Sequence, residues 1–377
     1  MTASITFKNG RIVRSDGQVL DRLHVVGDRI VDTLEGTADH LIDLDDGWLL
    51  PGFVDTQVNG GGGVLFNDDP SMDAIRRIGA AHAKFGTTAF LPTLISDTLD
   101  RVDLAMRATE QAIVSGVPGV VGLHIEGPFL NPARKGTHDA SRFLRLDAEA
   151  IRLLGSLTHG RTMVTLAPEM CTPDDIRALV SVGVIVSAGH TDADYDTMHD
   201  AFAAGVTGVT HLFNAMSPLH HREPGVVGAT LENRDAYAGL IVDGRHVAPA
   251  ALRVALAARP HDRFLLVTDA MSTIGTDADS FVLQGKTIRI VDGVCVEENG
   301  TLAGSALDMA TAVRNAVAML GLTVADAAAM ASAAPAAFLS LNDRGSLRPG
   351  ARADLAWLDR DLQPRGTWIG GQPIAAD

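Results

Sequence analysis

Three side chains that can bind a metal ion each follow an apolar run of the sequence. Glu126 ends the run in VVGLHIEG, His190 ends VIVSAGH, and His211 lies within GVTHLFNAM. If these runs are parallel strands, their ends can bring two imidazoles and one carboxylate to one ion and leave a position open for water. Water on such an ion becomes a nucleophile near neutral pH. A lone histidine is more often an ordinary hydrogen-bonded residue, but three candidate ligands at strand ends favour a catalytic metal site.

Asp269, in LLVTDAMS, follows the last apolar run. A carboxylate at this position can hold an attacking water and pass its proton to a leaving nitrogen. Aspartate also favours helix N-caps and turns. Spacing alone does not decide between the two roles.

The elements that must position these residues are apolar runs that alternate with Ala-rich helical stretches between residues 51 and 343. Such alternation is typical of parallel strands that are buried on both faces. The runs are GFVDTQVN, TTAFLPTL, VVGLHIEG, TMVTLAPE, VIVSAGH, GVTHLFNAM, YAGLIVDGRH and FLLVTDA. They predict an α/β fold, a (β/α)8 TIM-type barrel whose chemistry lies at the carboxyl ends of the strands. A doubly wound open sheet is the alternative.

Both ends of the chain predict a second, smaller domain. Residues 3–48 alternate short β-type runs, such as SITFKNGRIV and LHVVGDRIV, with Gly and Asp turns, and residues 344–374 repeat this pattern. We therefore expect residues 1–50 and 344–377 to form a small β-sandwich domain, and residues 51–343 to form the catalytic barrel.

The charge balance limits the possible partners of the 377-residue chain. Its formal net charge of -15 at pH 7, with His neutral, argues against a nucleic-acid or anionic-membrane surface. We find no export-type leader and no long uncharged apolar run, so we expect a cytoplasmic protein. Only Cys171 and Cys295 are present, which is too few for a disulfide framework, and we expect both to be reduced.

Longer motifs carry a resemblance to a known family. They are HIEGPFLN, SAGHTDA, THLFNAMSPLHHREPG, VDGRHV and VTDAM, with LLPGFVD at the first strand and GSLRPGARADL near the C-terminus. Over nearly the whole chain they resemble the N-acetylglucosamine-6-phosphate deacetylases of the amidohydrolase superfamily. The resemblance implies metal-dependent hydrolysis of the acetamido group of N-acetyl-D-glucosamine 6-phosphate to D-glucosamine 6-phosphate and acetate, in amino-sugar catabolism and cell-wall recycling.

The resemblance also implies roles at the reacting centre. Glu126, His190 and His211 match the family's ligands for one divalent metal ion per subunit, usually zinc, although iron and manganese also suit such ligands. Asp269 matches the acid/base residue. His138, in ARKGTHDA, matches a histidine that polarises the acetamido carbonyl and is also counted as substrate-binding.

Phosphate recognition is implied for a second group of residues. Arg222 and His246 match cations that contact the phosphate, and Asn214 and the backbone N–H of Ala215 complete the site. In the family one phosphate ligand crosses a dimer interface, which implies a homodimer with a shared active site. Without the resemblance, Arg222 is most simply a solvated loop charge.

Gln57 and Asn59, in GFVDTQVNGGGG, stand where many amidohydrolases carry His-x-His and bind a second metal ion. A carboxamide is too weak a ligand to replace imidazole on zinc. We therefore predict a single-metal site. Gln57 and Asn59 are placed with the substrate-binding residues, where they orient the bound water or pack the rim.

Two other classes of function compete with this interpretation. One is an amidohydrolase of different specificity, such as a cyclic-amide hydrolase or a deacetylase of another N-acetyl sugar. The other is a barrel that has lost activity and serves as an assembly protein. Loss of a metal ligand or of the acid/base residue would indicate the latter, and neither is missing from this sequence.

Overall fold

The computed structural model describes residues 3–14, 17–291 and 293–374. Its strands, in chain order, are β1 Ser4–Val13, β2 Val19–Val26, β3 Arg29–Val31, β4 His40–Asp43, β5 Trp48–Pro51, β6 Phe53–Val58, β7 Gly60–Gly61, β8 Val64–Leu65, β9 Thr87–Ile95, β10 Gly122–Glu126, β11 Arg161–Leu166, β12 Ile185–Ala188, β13 Val206–Val209, β14 Tyr237–Leu240, β15 Phe264–Leu266, β16 Ser280–Leu283, β17 Lys286–Val291, β18 Val294–Val296, β19 Leu302–Ser305, β20 Leu355–Leu358, β21 Pro364–Ile369 and β22 Gln372–Pro373.

Its α-helices are α1 Met72–Ala83, α2 Leu99–Val114, α3 Ala148–Leu154, α4 Pro173–Ser181, α5 Tyr195–Ala204, α6 Gly225–Glu232, α7 Pro249–Ala258, α8 Met309–Leu320, α9 Val324–Ala331 and α10 Ala333–Phe338. Several begin at a polar side chain that accepts a hydrogen bond from the first turn, among them Ser71 before α1 and Thr98 before α2. Among the described residues, every helix is too short or too polar to cross a membrane.

Eight parallel strands form the barrel, in the sheet order β6, β9, β10, β11, β12, β13, β14, β15. Each overlaps one of the eight predicted runs, although β9, β11 and β13 extend one or two residues beyond them. A parallel bridge between Val58 and Ala270 joins the first strand to the segment after the last one. All nine residues of β9 are buried, as expected for a strand covered on both faces. The predicted β/α barrel is confirmed, and the open sheet is not observed.

The strands at the two ends of the chain pair in one sheet, as the sequence predicts. Its order is β22, β21, β20, β5, β1, β2, β3, with β4 paired to β1. A separate apolar cluster that includes Phe7, Val25, Leu355 and Trp368 packs this part of the chain. The domain limits at residues 50 and 344 stay a prediction, and residues 1, 2 and 375–377 of that range lie outside the described residues.

A four-stranded antiparallel sheet, β16 to β19, was not predicted. It follows the last barrel strand and lies inside the range 51–343 that we assigned to the barrel alone. Its core is a small apolar cluster of Leu283, Ile288, Cys295 and Ala303, which continues to Ile95 at the end of β9. This sheet therefore lies at the mouth of the barrel, where the predicted site residues are found.

Candidate active site

The carboxyl ends of four barrel strands carry the central residues of the site. Glu126 is the last residue of β10, and His190, His211 and Asp269 follow β12, β13 and β15 within three residues. The last three have positive φ angles of 49°, 32° and 52°. This left-handed backbone costs a non-glycine residue about 1–3 kcal/mol. Tertiary contacts maintain it, including the bond from the Asp269 N–H to the Gln57 carbonyl at 3.0 Å.

Glu126, His190 and His211 meet as the sequence predicts. Glu126 Oε1 lies 3.2 Å from His190 Nε2 and 3.0 Å from His211 Nε2, and the two Nε2 atoms are 3.2 Å apart. A tetrahedral ion with ligands at about 2.0–2.2 Å holds those ligand atoms about 3.3–3.6 Å from one another. The observed spacing is close to this value, so the three residues fit one divalent ion.

The hydrogen bond at Nδ1 of His190 also supports the fit of these residues to a divalent ion. Its Nδ1 lies 2.9 Å from the carbonyl oxygen of Arg134. Because a carbonyl only accepts, the His190 proton is on Nδ1 and the Nε2 lone pair is available to a cation. Metal-binding histidines are commonly held this way by their second nitrogen.

His138 lies beside Glu126, His190 and His211 but is farther from Glu126 than the other two histidines are. Its Nε2 is 3.9 Å from Glu126 Oε2, and Glu126, His138 and His190 can each offer a ligand atom within 4.8 Å of the others. The set with His211 is closer, at 3.0–3.2 Å. His211 Nε2 therefore lies closer to the Glu126 carboxylate than His138 Nε2 does, and His138 faces the same space.

Hydrogen bonds at Nδ1 of His138 determine which ring nitrogen carries the proton. The backbone N–H of Ser96 donates to His138 Nδ1 at 3.4 Å, and Ser96 Oγ lies 2.8 Å from the same atom. An Nδ1 that accepts from a backbone N–H leaves the ring proton on Nε2. His138 thus presents an N–H donor toward the centre of the site.

The carboxamides of Gln57 and Asn59 donate hydrogen bonds to Asp269, and Gln57 also contacts Glu126. Gln57 Nε2 donates to Glu126 Oε1 and to Asp269 Oδ1, both at 3.1 Å. Asn59 Nδ2 donates to Asp269 Oδ1 at 2.6 Å. These hydrogen bonds orient the Asp269 carboxylate. Asn59 Oδ1 is buried and has no partner among the described residues.

Burial and neighbouring charges shift the titration of these groups. Burial, with the negative charge of Glu126, raises the pKa of Asp269 to about 6. Burial and the nearby His190 lower the pKa of His138 to about 3, so its ring is neutral at pH 7. Burial opposes the charged form of Glu126, but its hydrogen bonds to His190 and His211 hold its pKa well below the usual range. The site thus has one firmly ionised carboxylate and one poised to exchange a proton.

A cavity of about 340 Å³ opens above these residues, a size within the ordinary range for small-molecule sites. One part of its wall is apolar, with Ile95, Met271, Leu283 and Leu302. Its polar lining includes Asn59, Arg134, Thr137, Asn214 and His246. This volume and mixed lining suit a polar ligand of monosaccharide size.

The predicted phosphate contacts divide between two places. Asn214, Ala215 and His246 line the cavity, and His246 Nδ1 lies 2.6 Å from Asp243 Oδ2. Arg222 does not line it in the same chain. It is exposed and borders a separate surface cavity of about 450 Å³.

Sequence reasoning missed the residues that the small sheet adds to the site. Leu283, Thr301 and Leu302 line the cavity, and Gln284 Nε2 donates to the Ser96 carbonyl at 3.1 Å. A signal was present, because the alternation in SFVLQGKTIRIV around a Gln-Gly turn is typical of a hairpin. Glu169, the last residue of the run TMVTLAPE, accepts hydrogen bonds from Asn131 Nδ2 and the Asp192 N–H and so links two loops.

The sequence model of the Amidohydrolase family matches residues 48–374. The chain belongs to the amidohydrolase family, as its motifs and barrel predict.

Its relatives are sugar-phosphate deacetylases by name. N-acetylgalactosamine-6-phosphate deacetylase of Shewanella sp. (strain ANA-3) is 42% identical, over 87% of this chain and 84% of its own. N-acetylglucosamine-6-phosphate deacetylase of Bos taurus is 37% identical, over 98% and 95%.

Solved structures give the same result for the fold. N-acetylglucosamine-6-phosphate deacetylase from Pasteurella multocida superposes with a TM-score of 0.94 at 36% identity, covering 99% of this chain and 100% of that one. A mutant of the Mycobacterium smegmatis enzyme in complex with N-acetyl-D-glucosamine-6-phosphate gives 0.90 at 32% identity and covers both chains fully. The family resemblance seen in the sequence is confirmed.

Proposed function

We propose that the chain hydrolyses the acetamido group of N-acetyl-D-glucosamine 6-phosphate to D-glucosamine 6-phosphate and acetate. The observation that carries the proposal is the meeting of Glu126, His190, His211 and Asp269 in one ligand-sized cavity of an amidohydrolase barrel. The names of the relatives and the sugar phosphate bound to the Mycobacterium smegmatis neighbour support this substrate class.

Glu126, His190 and His211 would hold one divalent metal ion per subunit. Zinc suits two imidazoles and one carboxylate, and iron or manganese also accept this set. When bound, the ion supplies a Lewis acid that lowers the pKa of water and polarises the amide oxygen. Gln57 and Asn59 support a single ion, because both of their amide groups donate to carboxylates.

Asp269 would move the protons of the reaction. It takes a proton from the attacking water, whose oxygen forms a bond to the acetamido carbon. It then gives that proton to the amine nitrogen as the C–N bond breaks, which releases acetate and the free amino sugar. Gln57 and Asn59 keep Oδ1 of Asp269 oriented during both transfers.

His138 would stabilise the negative charge that develops on the carbonyl oxygen. Its neutral ring, with the proton on Nε2, is a fixed hydrogen-bond donor in a buried position. Such a donor acts without reorganisation at the moment of attack.

The phosphate would be held by His246, Asn214 and the Ala215 N–H of one subunit and by Arg222 of a second. The exposed position of Arg222, away from the cavity of its own chain, supports a homodimer in which this side chain completes the partner's site. In a C2 dimer each subunit would lend its Arg222 to the other.

Subunit mixing tests this arrangement. Dimers of Asp269→Asn and Arg222→Ala subunits, each nearly inactive alone, should regain about a quarter of normal activity, because half of the dimers are mixed and each mixed dimer has one complete site. Absence of any recovery in a mixture shown to exchange subunits would mean that Arg222 acts within its own chain or not at all.

A second candidate substrate is N-acetyl-D-galactosamine 6-phosphate. The relative that is 42% identical carries that name, and the two sugars differ only in the configuration at C4. The proposed roles of the metal ligands, Asp269 and His138 are the same for both.

The test is acetate release by the zinc-loaded protein from both sugar phosphates and from unphosphorylated N-acetylglucosamine. Hydrogen bonds to charged groups contribute about 1.5–3 kcal/mol each, so the contacts from Arg222 and His246 alone predict a preference of about 10²–10⁴ for the phosphorylated sugar. A higher kcat/KM for the galacto sugar would select the second candidate. No acetate from either phosphate would overturn both.

Two further expectations from the sequence belong with this proposal. We propose the division into a barrel of residues 51–343 and a small domain of residues 1–50 and 344–377, supported by the separate apolar cluster of the terminal sheet. We also propose a cytoplasmic location, which the two free cysteines, Cys171 and Cys295, support.

A further inference from the structure

We propose that Glu297, on the loop after β18, is a positioning residue that fixes His138 for catalysis. The inference rests on the proposed function, because it concerns the donor that His138 offers to the substrate carbonyl. It assigns a role to the sheet β16–β19, which lies outside the barrel strands that carry the metal ligands.

The first contact joins Glu297 to Thr137, the residue before His138 in the chain. Thr137 Oγ1 donates to Glu297 Oε1 at 2.7 Å, and Lys286 Nζ lies 3.0 Å from the same oxygen. The Glu297 side chain is only 10% exposed. Burial opposes its charge, but the hydrogen bond from Thr137 and the ion pair with Lys286 prevail and lower its pKa. Glu297 is thus a charged acceptor held in place by its own sheet.

The second contact reaches the ring of His138. Gln284 Nε2, at the turn between β16 and β17, donates to the Ser96 carbonyl at 3.1 Å. Ser96 Oγ and N–H both contact His138 Nδ1, at 2.8 and 3.4 Å. The small sheet β16–β19 therefore holds His138 from two sides. Glu297 binds Thr137, the residue before His138, and Gln284 binds Ser96, which contacts His138 Nδ1.

The segment that bears His138 needs such support. Between Asn131 and Asp139 the chain forms only a short 3-10 turn, with a positive φ of 55° at Gly136. Apart from the contact of His138 with Ser96, its described side-chain anchors outside the small sheet lie near its start, at Asn131, which donates to Glu169, and at Arg134, which pairs with Asp192. Glu297 is the anchor beside His138 itself. A misplacement of about 1 Å at a reacting centre can cost about a hundredfold in rate.

Steady-state kinetics of Glu297 variants test the proposal in the metal-loaded, full-length protein. Glu297→Ala should lower kcat about tenfold to a hundredfold while KM changes less than about threefold, since the contact orients a group that acts mainly in the transition state. Glu297→Gln should recover most of kcat, because its amide oxygen still accepts from Thr137. Thr137→Val should reproduce the loss. Glu298→Ala, which removes the exposed neighbouring carboxylate, is the matched control and should stay near the parent rate.

A double variant separates positioning from simple stabilisation. In a His138→Ala background, Glu297→Ala should cause almost no further loss of kcat. The same fold loss in both backgrounds, or no rescue by Glu297→Gln, would overturn the proposal.

A second readout does not depend on turnover. Long-range ¹⁵N–¹H spectra of the parent should show His138 as a single Nε2–H tautomer, and Glu297→Ala should broaden or mix its ring signals. Unchanged His138 signals in Glu297→Ala would also overturn the proposal. If the parent shows no deacetylase activity, the proposed function fails while this spectrum still tests the positioning.

Discussion

Replacing Asp269 with Asn removes the proton acceptor of the proposed reaction with little change of shape. Asp269 Oδ1 accepts from Gln57 Nε2 at 3.1 Å and from Asn59 Nδ2 at 2.6 Å. An asparagine can turn its amide oxygen toward the same two donors, so the local hydrogen bonds survive. It cannot take a proton from water or deliver one to the amine. The variant should therefore fold and bind substrate but not turn it over.

The size of the loss follows from the double use of this residue. General acid–base catalysis contributes about 10²–10⁴-fold to a rate, which is about 2.7–5.4 kcal/mol of activation free energy. Because Asp269 serves as base in one step and as acid in the next, we expect kcat to fall by about 10⁴. The Kd for N-acetylglucosamine 6-phosphate should stay within about threefold of the parent value.

The assay combines acetate release with calorimetric titration of the substrate and with thermal unfolding. Asp277→Asn, an exposed change on the same stretch of chain, is the matched control and should behave as the parent does. An Asp269→Asn protein with kcat within tenfold of the parent would refute the assignment. So would a loss that appears only as weaker binding.

The remaining predictions concern the donor, the ligands, the pH profile and the barrel. His138→Ala should lower kcat by about 10²–10³ with little change of KM, as found when one oxyanion donor is lost; an unchanged kcat would contradict its role. Glu126→Gln should reduce bound zinc well below one ion per chain by elemental analysis, and full occupancy would exclude it as a ligand. Asp269 must be ionised to act as a base, so kcat/KM should fall as the pH falls through the pKa of Asp269. Burial and Glu126 raise this pKa to about 6, and a bound cation would lower it. A midpoint above about pH 7 in the pH profile of kcat/KM would contradict this role. Gly122→Ala should lower the free energy of unfolding by about 3 kcal/mol or more in a denaturant titration, because the new Cβ would lie 2.0 Å from the Arg161 carbonyl on the next strand, and a stable variant would contradict that packing.

The barrel was predictable because its signal is local and repeated. Each strand is an apolar run that needs burial on both faces, and polar side chains follow most of these runs at their carboxyl ends. In a β/α barrel the carboxyl ends of the strands meet at one rim. The proximity of Glu126, His190 and His211 can therefore be predicted even when the loop conformations are unknown. The observed distances of 3.0–3.2 Å agree with that expectation.

The sheet β16–β19 was missed because its strands are short and partly solvated. In β16 the pattern is weak, with Val282 57% exposed and Leu283 buried. Its contacts to the His138 loop join residues far apart in the chain, such as Thr137 and Glu297, and no local pattern specifies such a pair.

Two site features depend on interactions that sequence patterns do not contain. The neutral Nε2–H form of His138 follows from the Ser96 N–H and from burial, and both require the folded chain. The proposed role of Arg222 requires a second subunit, because its position in one chain is that of an exposed loop residue. Motif resemblance named both residues, while the physical reason for each comes from three-dimensional structure.

The central claim is that one divalent ion, held by Glu126, His190 and His211, is necessary for amide hydrolysis. The most direct measurement is a zinc titration of chelator-treated protein, with acetate release from N-acetylglucosamine 6-phosphate followed at each point. Activity should be near zero at the start, rise linearly, and reach its plateau at about one ion per chain. Full activity in the chelated protein, or a plateau only at two ions per chain, would contradict the account.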